Sequence, residues 1–299
     1  MSAAAAPVAT RRAALTVAGS LATAGLLAHL LSGQSARFAD AFTGVAVPVL
    51  VAAAALQVVA LLARSEAWHV TIREAGGSIT RRVLYRASSM QVLGGLVSGH
   101  VGVAARIAAL RRSAPAGCPR IPTLVAAEMP ILAVEAILAA LTSFTLVGPL
   151  GLPWWLPLVG VGVVASVAAG LRPLAGRTGR ELWRGLAVVR SRNAGTRLVA
   201  FVLVAVLAQI VRNWLLLHAV GVDASIFDAI AVLIAVVSLS QLPVGPSVGA
   251  AAAALILGGG GVAAAAAAGA LLTVTGTLGG LCFAAWAAAD RLHVAHALR

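Results

Sequence analysis

Apolar runs long enough to cross a bilayer recur along this whole chain, and the segments that join them are short. In order the runs are residues 13–31, 41–63, 87–110, 121–147, 156–171, 198–219, 226–257 and 262–288. A span needs about 20 apolar residues, and backbone in lipid must satisfy its own hydrogen bonds, so runs of this kind are helical. With 61% of residues hydrophobic and 10% charged, no segment is left that could bury a separate soluble core. The expected fold class is all-α, a polytopic helical membrane protein.

Charge decides which ends share a side. The formal net charge is +13, and all 22 basic residues are Arg. In a soluble protein that balance would suggest nucleic acid. Here the arginines fall in short loops between apolar runs, where the positive-inside rule accounts for them and no nucleic-acid role is expected. Residues 64–86 hold five arginines, with Trp68 and Tyr85 as interfacial aromatics, and are expected to lie at the cytoplasmic surface. Residues 172–197 hold seven, whereas residues 148–155 hold none and end in Trp154 and Trp155. If the basic loops are inside and the uncharged loop is outside, both ends of 87–110 face the cytoplasm and both ends of 226–257 face outward. Each of these two runs is then expected to enter and return as a re-entrant hairpin. The arrangement places 20 of the 22 arginines on one side, leaving only Arg37 and Arg212.

Both runs are broken where a hairpin would turn. The first carries Ser98-Gly-His-Val-Gly102, with Gly99 and Gly102 as breaks. The second carries Gln241-Leu-Pro-Val-Gly-Pro-Ser-Val-Gly249, where Pro243 and Pro246 remove backbone donors and Gly245 and Gly249 loosen the helix. Broken backbone is tolerated at membrane depth only where protein or a polar cavity surrounds it. The order is span, span, hairpin, span, and then the same again in opposite orientation. Two halves, residues 1–150 and 151–299, with six spans and two opposed hairpins, have the plan of an inverted-topology repeat whose hairpin tips frame a site.

Arg11-Arg12 before the run 13–31 has the basic-then-apolar order of a signal peptide, but the run has the length of a span, and a retained first helix is expected. The protein is expected in the inner (cytoplasmic) membrane with both termini cytoplasmic. Cys118 and Cys282 have neither metal-ligand spacing nor any need to pair. Gly258 to Gly261 lacks the Lys and the strand of a phosphate loop. No cofactor, no metal and no enzymatic activity are expected.

The plan, together with Ser98-Gly-His-Val-Gly-Val-Ala-Ala-Arg106 and Leu242-Pro-Val-Gly-Pro-Ser-Val-Gly249, resembles the flippase-like transmembrane region of lysylphosphatidylglycerol synthases and its stand-alone relatives. Gly102 and Arg106 match the first hairpin motif, Glu128 the acid of the next span, and Pro243, Pro246 and Gly249 the second turn. Val103 stands where the family has an acid, and Ala250 to Ala253 offer no Glu after the second turn. The resemblance implies movement of a lipid between leaflets. The synthases also carry a cytosolic aminoacyl-transfer domain. No loop here is long enough to be one, so lysyl transfer is not expected of these residues.

Several side chains stand out in this frame. Arg106 follows the first hairpin and can grip a phosphate bidentately, or serve as a cytoplasmic anchor like Arg111 and Arg112. Glu128 and Glu135, seven residues apart, share a helical face, and a carboxylate at that depth needs a partner, which Arg106 could be, or a proton. Arg212, with Asn213 beside it, lies deep in its span, to snorkel outward or to receive a phosphate. His100, Gln241 and Ser247 add polar groups at the tips. The expected function is a transporter or flippase for an anionic lipid or lipid-linked intermediate. The alternative is a non-catalytic scaffold or accessory subunit of a glycosyltransferase or envelope-assembly enzyme. The expected partners are membrane lipids with an anionic headgroup, with an envelope enzyme and a homo-oligomer both compatible with the sequence.

Overall fold

The computed structural model describes residues 25, 29, 31–95, 99–176, 181–239, 248–257 and 261–297. Among them the chain is helical, with no β-strand. The helices are α1 (Ser35–Thr43), α2 (Val47–Glu74), α3 (Arg81–Gly95), α4 (Gly99–Ser113), α5 (Ile121–Ala126), α6 (Met129–Thr142) and α7 (Val147–Leu150). They continue as α8 (Leu156–Ala175), α9 (Glu181–Arg184), α10 (Arg192–Ala219), α11 (Ile226–Leu239), α12 (Val248–Leu257) and α13 (Val262–Ala297), with 3-10 turns at Ser143–Leu146 and Ala187–Arg190. Among the described residues, five segments are long and apolar enough to cross a membrane: α2, the run Ile121–Leu150 formed by α5 to α7, α8, α10, and α13 over Val262–His293. That is the architecture of a multi-pass membrane protein. The expected first span, 13–31, falls almost wholly outside the described residues.

The helices overrun the expected spans for local reasons. From Arg64 to Glu74, read from sequence as a surface segment, there is neither Gly nor Pro, and Arg, Glu and Ala propagate a helix, so α2 continues to Glu74. Likewise α3 begins at Arg81 rather than Ala87, and α10 at Arg192 rather than Leu198. The opposite happens in the run expected as one span over 121–147. Pro130 has no N–H for the Ala126 carbonyl and its ring crowds that carbonyl. The helix therefore stops at Ala126 and restarts at Met129, leaving Glu128 in the break. There the Glu128 N–H makes a tighter bond, to the Val125 carbonyl at 3.2 Å.

The chain forms two compact units, and each draws on both halves expected from the sequence. The first comprises Met1–Ala54, Thr142–Trp154 and Gln209–Gly276. Its core is built of Leu216 and Leu217 from α10, Ala229 and Val232 from α11, Ala253 and Ile256 from α12, and Ala268 and Leu271 from α13. The joint between α10 and α11 is fixed by end signals. Gly221 takes φ +80° just past α10, and the Val222 N–H bonds the Leu217 carbonyl at 3.0 Å. Ser225 and Asp228 then form a reciprocal capping box at the start of α11, with Ser225 N–H to Asp228 Oδ2 at 2.8 Å and Asp228 N–H to Ser225 Oγ at 3.2 Å. α11 and α12 pack against one another. α12 also packs on α13, and so closely that a Cβ on Gly249 would lie 2.6 Å from the Gly269 carbonyl oxygen.

The second unit comprises Ala55–Leu141, Trp155–Ala208 and Thr277–Arg299. Trp68 and Ile72 of α2, Leu84 of α3, Ile107 and Leu110 of α4, Leu124 of α5, Ile131 of α6 and Leu198 of α10 form its core. α3 and α4 make a helical hairpin whose arms meet at glycine. A Cβ on Gly94 would fall 2.9 Å from the Gly102 Cα, and one on Gly102 would fall 2.6 Å from the Gln91 carbonyl oxygen. That approach turns the residue one helical turn past Gly102, which is Arg106, toward the interior.

A candidate anion site in the second unit

Among the described residues of the second unit, Arg106 of α4 is the most deeply buried charged side chain, at 1% exposure, and it is held by α2 and by the break between α5 and α6. Its guanidinium lies over the indole of Trp68 on α2, with Cζ 3.7 Å from the ring centroid, a cation–π contact. Glu128, in the proline-induced break between α5 and α6, forms an ion pair with it. A charge this far from water is tolerated only when paired, and the break presents the needed carboxylate. One turn-pair further along, Glu135 on α6 accepts a hydrogen bond from Arg64 of α2 at 2.6 Å.

In front of the two arginines is a cavity of about 210 Å³. α2 contributes Gln57, Arg64 and Ser65 to its wall, α3 contributes Ser88 and Gln91, and α4 contributes Arg106. Phe283 of α13 is part of its apolar side. Neither Glu128 nor Glu135 lines it, so the two carboxylates pair with the arginines from outside the lining while the wall itself is cationic and polar. Ser88 Oγ and Arg106 Nε, both fully buried, have no hydrogen-bond partner, and neither has the Trp68 Nε1.

Arg212 has different surroundings in the first unit. It is buried at 5% exposure rather than snorkelled to a surface. Its Nη1 donates to Gln209 Oε1 at 2.9 Å, its Nε to Thr275 Oγ1 at 3.3 Å, and its Nη2 to the Leu272 carbonyl. Gly276 leaves room for it, since a Cβ there would lie 2.9 Å from Nη2. Asn213 is buried beside it in sequence, at 3% exposure. Neither residue lines the cavity of the second unit.

Of the residues singled out from the sequence, Arg106 and Glu128 come together as an ion pair, and Glu135 finds its own arginine. Gly99 opens α4, and Gly102 and Gly249 serve as close helix contacts rather than as breaks. Gln241, Pro243, Gly245, Pro246 and Ser247 lie outside the described residues, as does the side chain of His100. Sequence reasoning missed Arg64, Ser88 and Gln91 as site residues. It also missed a clasp at one end of the unit, where Arg82 and Arg86 of α3 both grip Asp290 of α13, Arg86 Nε at 2.5 Å. Next to it Tyr85 donates to Glu66 and packs edge-on against Trp286. Burial, and then the bond to Glu66, push the Tyr85 phenol up to about 12. Among the described residues no three His, Cys, Asp or Glu side chains gather as a metal site, and both cysteines are free thiols. No protein-family model, no curated protein and no solved structure matches the chain.

Proposed function

We propose that this protein is a transporter of the flippase type that moves an anionic lipid or lipid-linked intermediate between the leaflets of the cytoplasmic membrane. The observation that carries the reading is Arg106, a fully buried cation paired with a carboxylate and lining a polar cavity, inside a chain of long apolar helices. Ionisable side chains at such depth are costly, and where they persist they mark substrate or ion pathways. The likeness to the flippase-like region of lysylphosphatidylglycerol synthases, carried by Gly102, Arg106 and Glu128, supports the same reading. So does the arginine asymmetry, which favours six spans, two opposed hairpins over 87–110 and 226–257, and cytoplasmic termini.

The reading has a direct test. Purified protein reconstituted into vesicles should move a headgroup-labelled phosphatidylglycerol between leaflets, and Arg106→Ala should abolish the movement. Movement at the rate of protein-free vesicles, across anionic and lipid-linked substrates, would overturn it and leave the scaffold alternative.

A further inference from the structure

We infer that the cavity walled by α2, α3 and α4 is a binding site for a single phosphate-type oxyanion, held by Arg106 and Ser88 with Arg64 and Gln91 beside them. The inference deepens the transport reading and rests on it only for the claim that the anion arrives on a lipid. Four observations carry it. First, the wall holds two guanidiniums and no carboxylate, which selects an anion over a cation or a neutral sugar. Second, Ser88 Oγ and Arg106 Nε are buried donors without a partner, and both belong to side chains of this wall. Buried donors are almost always satisfied, so two orphans on one cavity point to an acceptor that serves both. Third, Glu128 and Glu135 pair with the two arginines without lining the cavity, which orients the guanidiniums and leaves Arg106 Nε for a ligand. Fourth, the cavity of about 210 Å³ has room for a phosphate with a short polar substituent.

The donors come from different directions: Arg106 from α4, Ser88 and Gln91 from α3, and Arg64 from α2. A tetrahedral oxyanion offers acceptors on all sides and can meet them together, whereas the flat carboxylate of a fatty acid can meet fewer. Arg64, 37% exposed at its side chain, is the member through which the site communicates with the surroundings.

The test is calorimetric titration of the full-length protein in maltoside detergent, which brings no phosphate of its own. One arm uses inorganic phosphate and the other dihexanoyl phosphatidic acid. Saturable one-to-one binding of either titrant is expected, with binding confined to the second arm if the natural ligand is a lipid headgroup and present in both if free phosphate also enters. Arg106→Lys keeps the charge against Glu128 but removes the Nε donor, and should weaken binding at least tenfold. Ser88→Ala should weaken it about tenfold with little risk to folding, the value of one hydrogen bond to a charged group. Ser166→Ala, on an exposed face of α8, should bind as the parent does. Absence of saturation in both arms, or binding unchanged in Ser88→Ala and Arg106→Lys, overturns the site. Lipid movement that persists alongside such a result would leave the transport reading standing without it, and binding without movement would do the reverse.

Discussion

Arg106 and Glu128 form an ion pair that one proline makes possible. Pro130 ends the hydrogen-bond ladder of α5, and the break it causes places Glu128 where α4 delivers Arg106. Arg106 is 1% exposed and Glu128 9%, so both charges are largely withdrawn from water. Removing one partner strands the other. Arg106→Met or Glu128→Met alone should each destabilise the protein by about 3–5 kcal/mol, and the double replacement by much less than the sum. Unfolding in mixed micelles measures all three variants. Additive effects would mean that the two charges are solvated separately.

Close glycine contacts in the first unit lead to a second expectation. A Cβ on Gly269 would lie 2.1 Å from the Gly249 carbonyl oxygen, so α12 and α13 must separate to admit any side chain. Gly269→Val should cost about 1–3 kcal/mol, as overpacking does. Gly160, in α8, has nothing within 4 Å of where its Cβ would be. Gly160→Ala should therefore stabilise by about 0.5–1 kcal/mol, the helix-propensity difference. Thermal unfolding of the two variants side by side checks the contrast.

Tyr85 is the only tyrosine in the chain, and no lysine is present to titrate alongside it. Its phenol is pushed up to about 12 from the ordinary 10.0, first by burial and then by its bond to Glu66. The folded state therefore holds the phenolic proton more tightly than the unfolded state. The corresponding stabilisation is fully present below pH 10 and is lost as pH rises toward 12. Phenolate absorbance should titrate near 12 in the folded protein and near 10 after unfolding. Tyr85→Phe should flatten the alkaline fall in melting temperature over that interval.

The parts of this structure that could be read from sequence are those set by local chemistry. Apolar run length gave the five long apolar segments seen among the described residues, Ser225-Ile-Phe-Asp228 carries its own capping box, and a carboxylate within an apolar run announced that Glu128 needs a partner. The rest depends on contacts between distant residues. Arg64 looked like one of many surface arginines, yet its partner Glu135 lies 71 residues away. Ser88 and Gln91 gained meaning only when the Gly94 and Gly102 contact folded α3 onto α4. Arg212 seemed free to snorkel because its acceptors, Thr275 and the Leu272 carbonyl, are on another helix about sixty positions on. Gly102 and Gly249 looked like breaks because a glycine that breaks a helix and one that lets two helices touch are identical in sequence.

The arginine distribution yields a last expectation, about sidedness. Between α4 and α5 lies a loop flanked by Arg111, Arg112 and Arg120, and between α7 and α8 lies an uncharged loop ending in Trp154 and Trp155. The positive-inside rule puts the first in the cytoplasm and the second outside, with the Ile121–Leu150 run crossing between them. Single cysteines at Ala116 and Trp154, both exposed positions, report on the two loops once Cys118 and Cys282 are changed to Ser. In right-side-out vesicles an impermeant maleimide should label the cysteine at 154 and spare the one at 116. Equal labelling of both would place the two loops on one side, and the hairpin over 87–110 and the opposed repeat built on it would fall together.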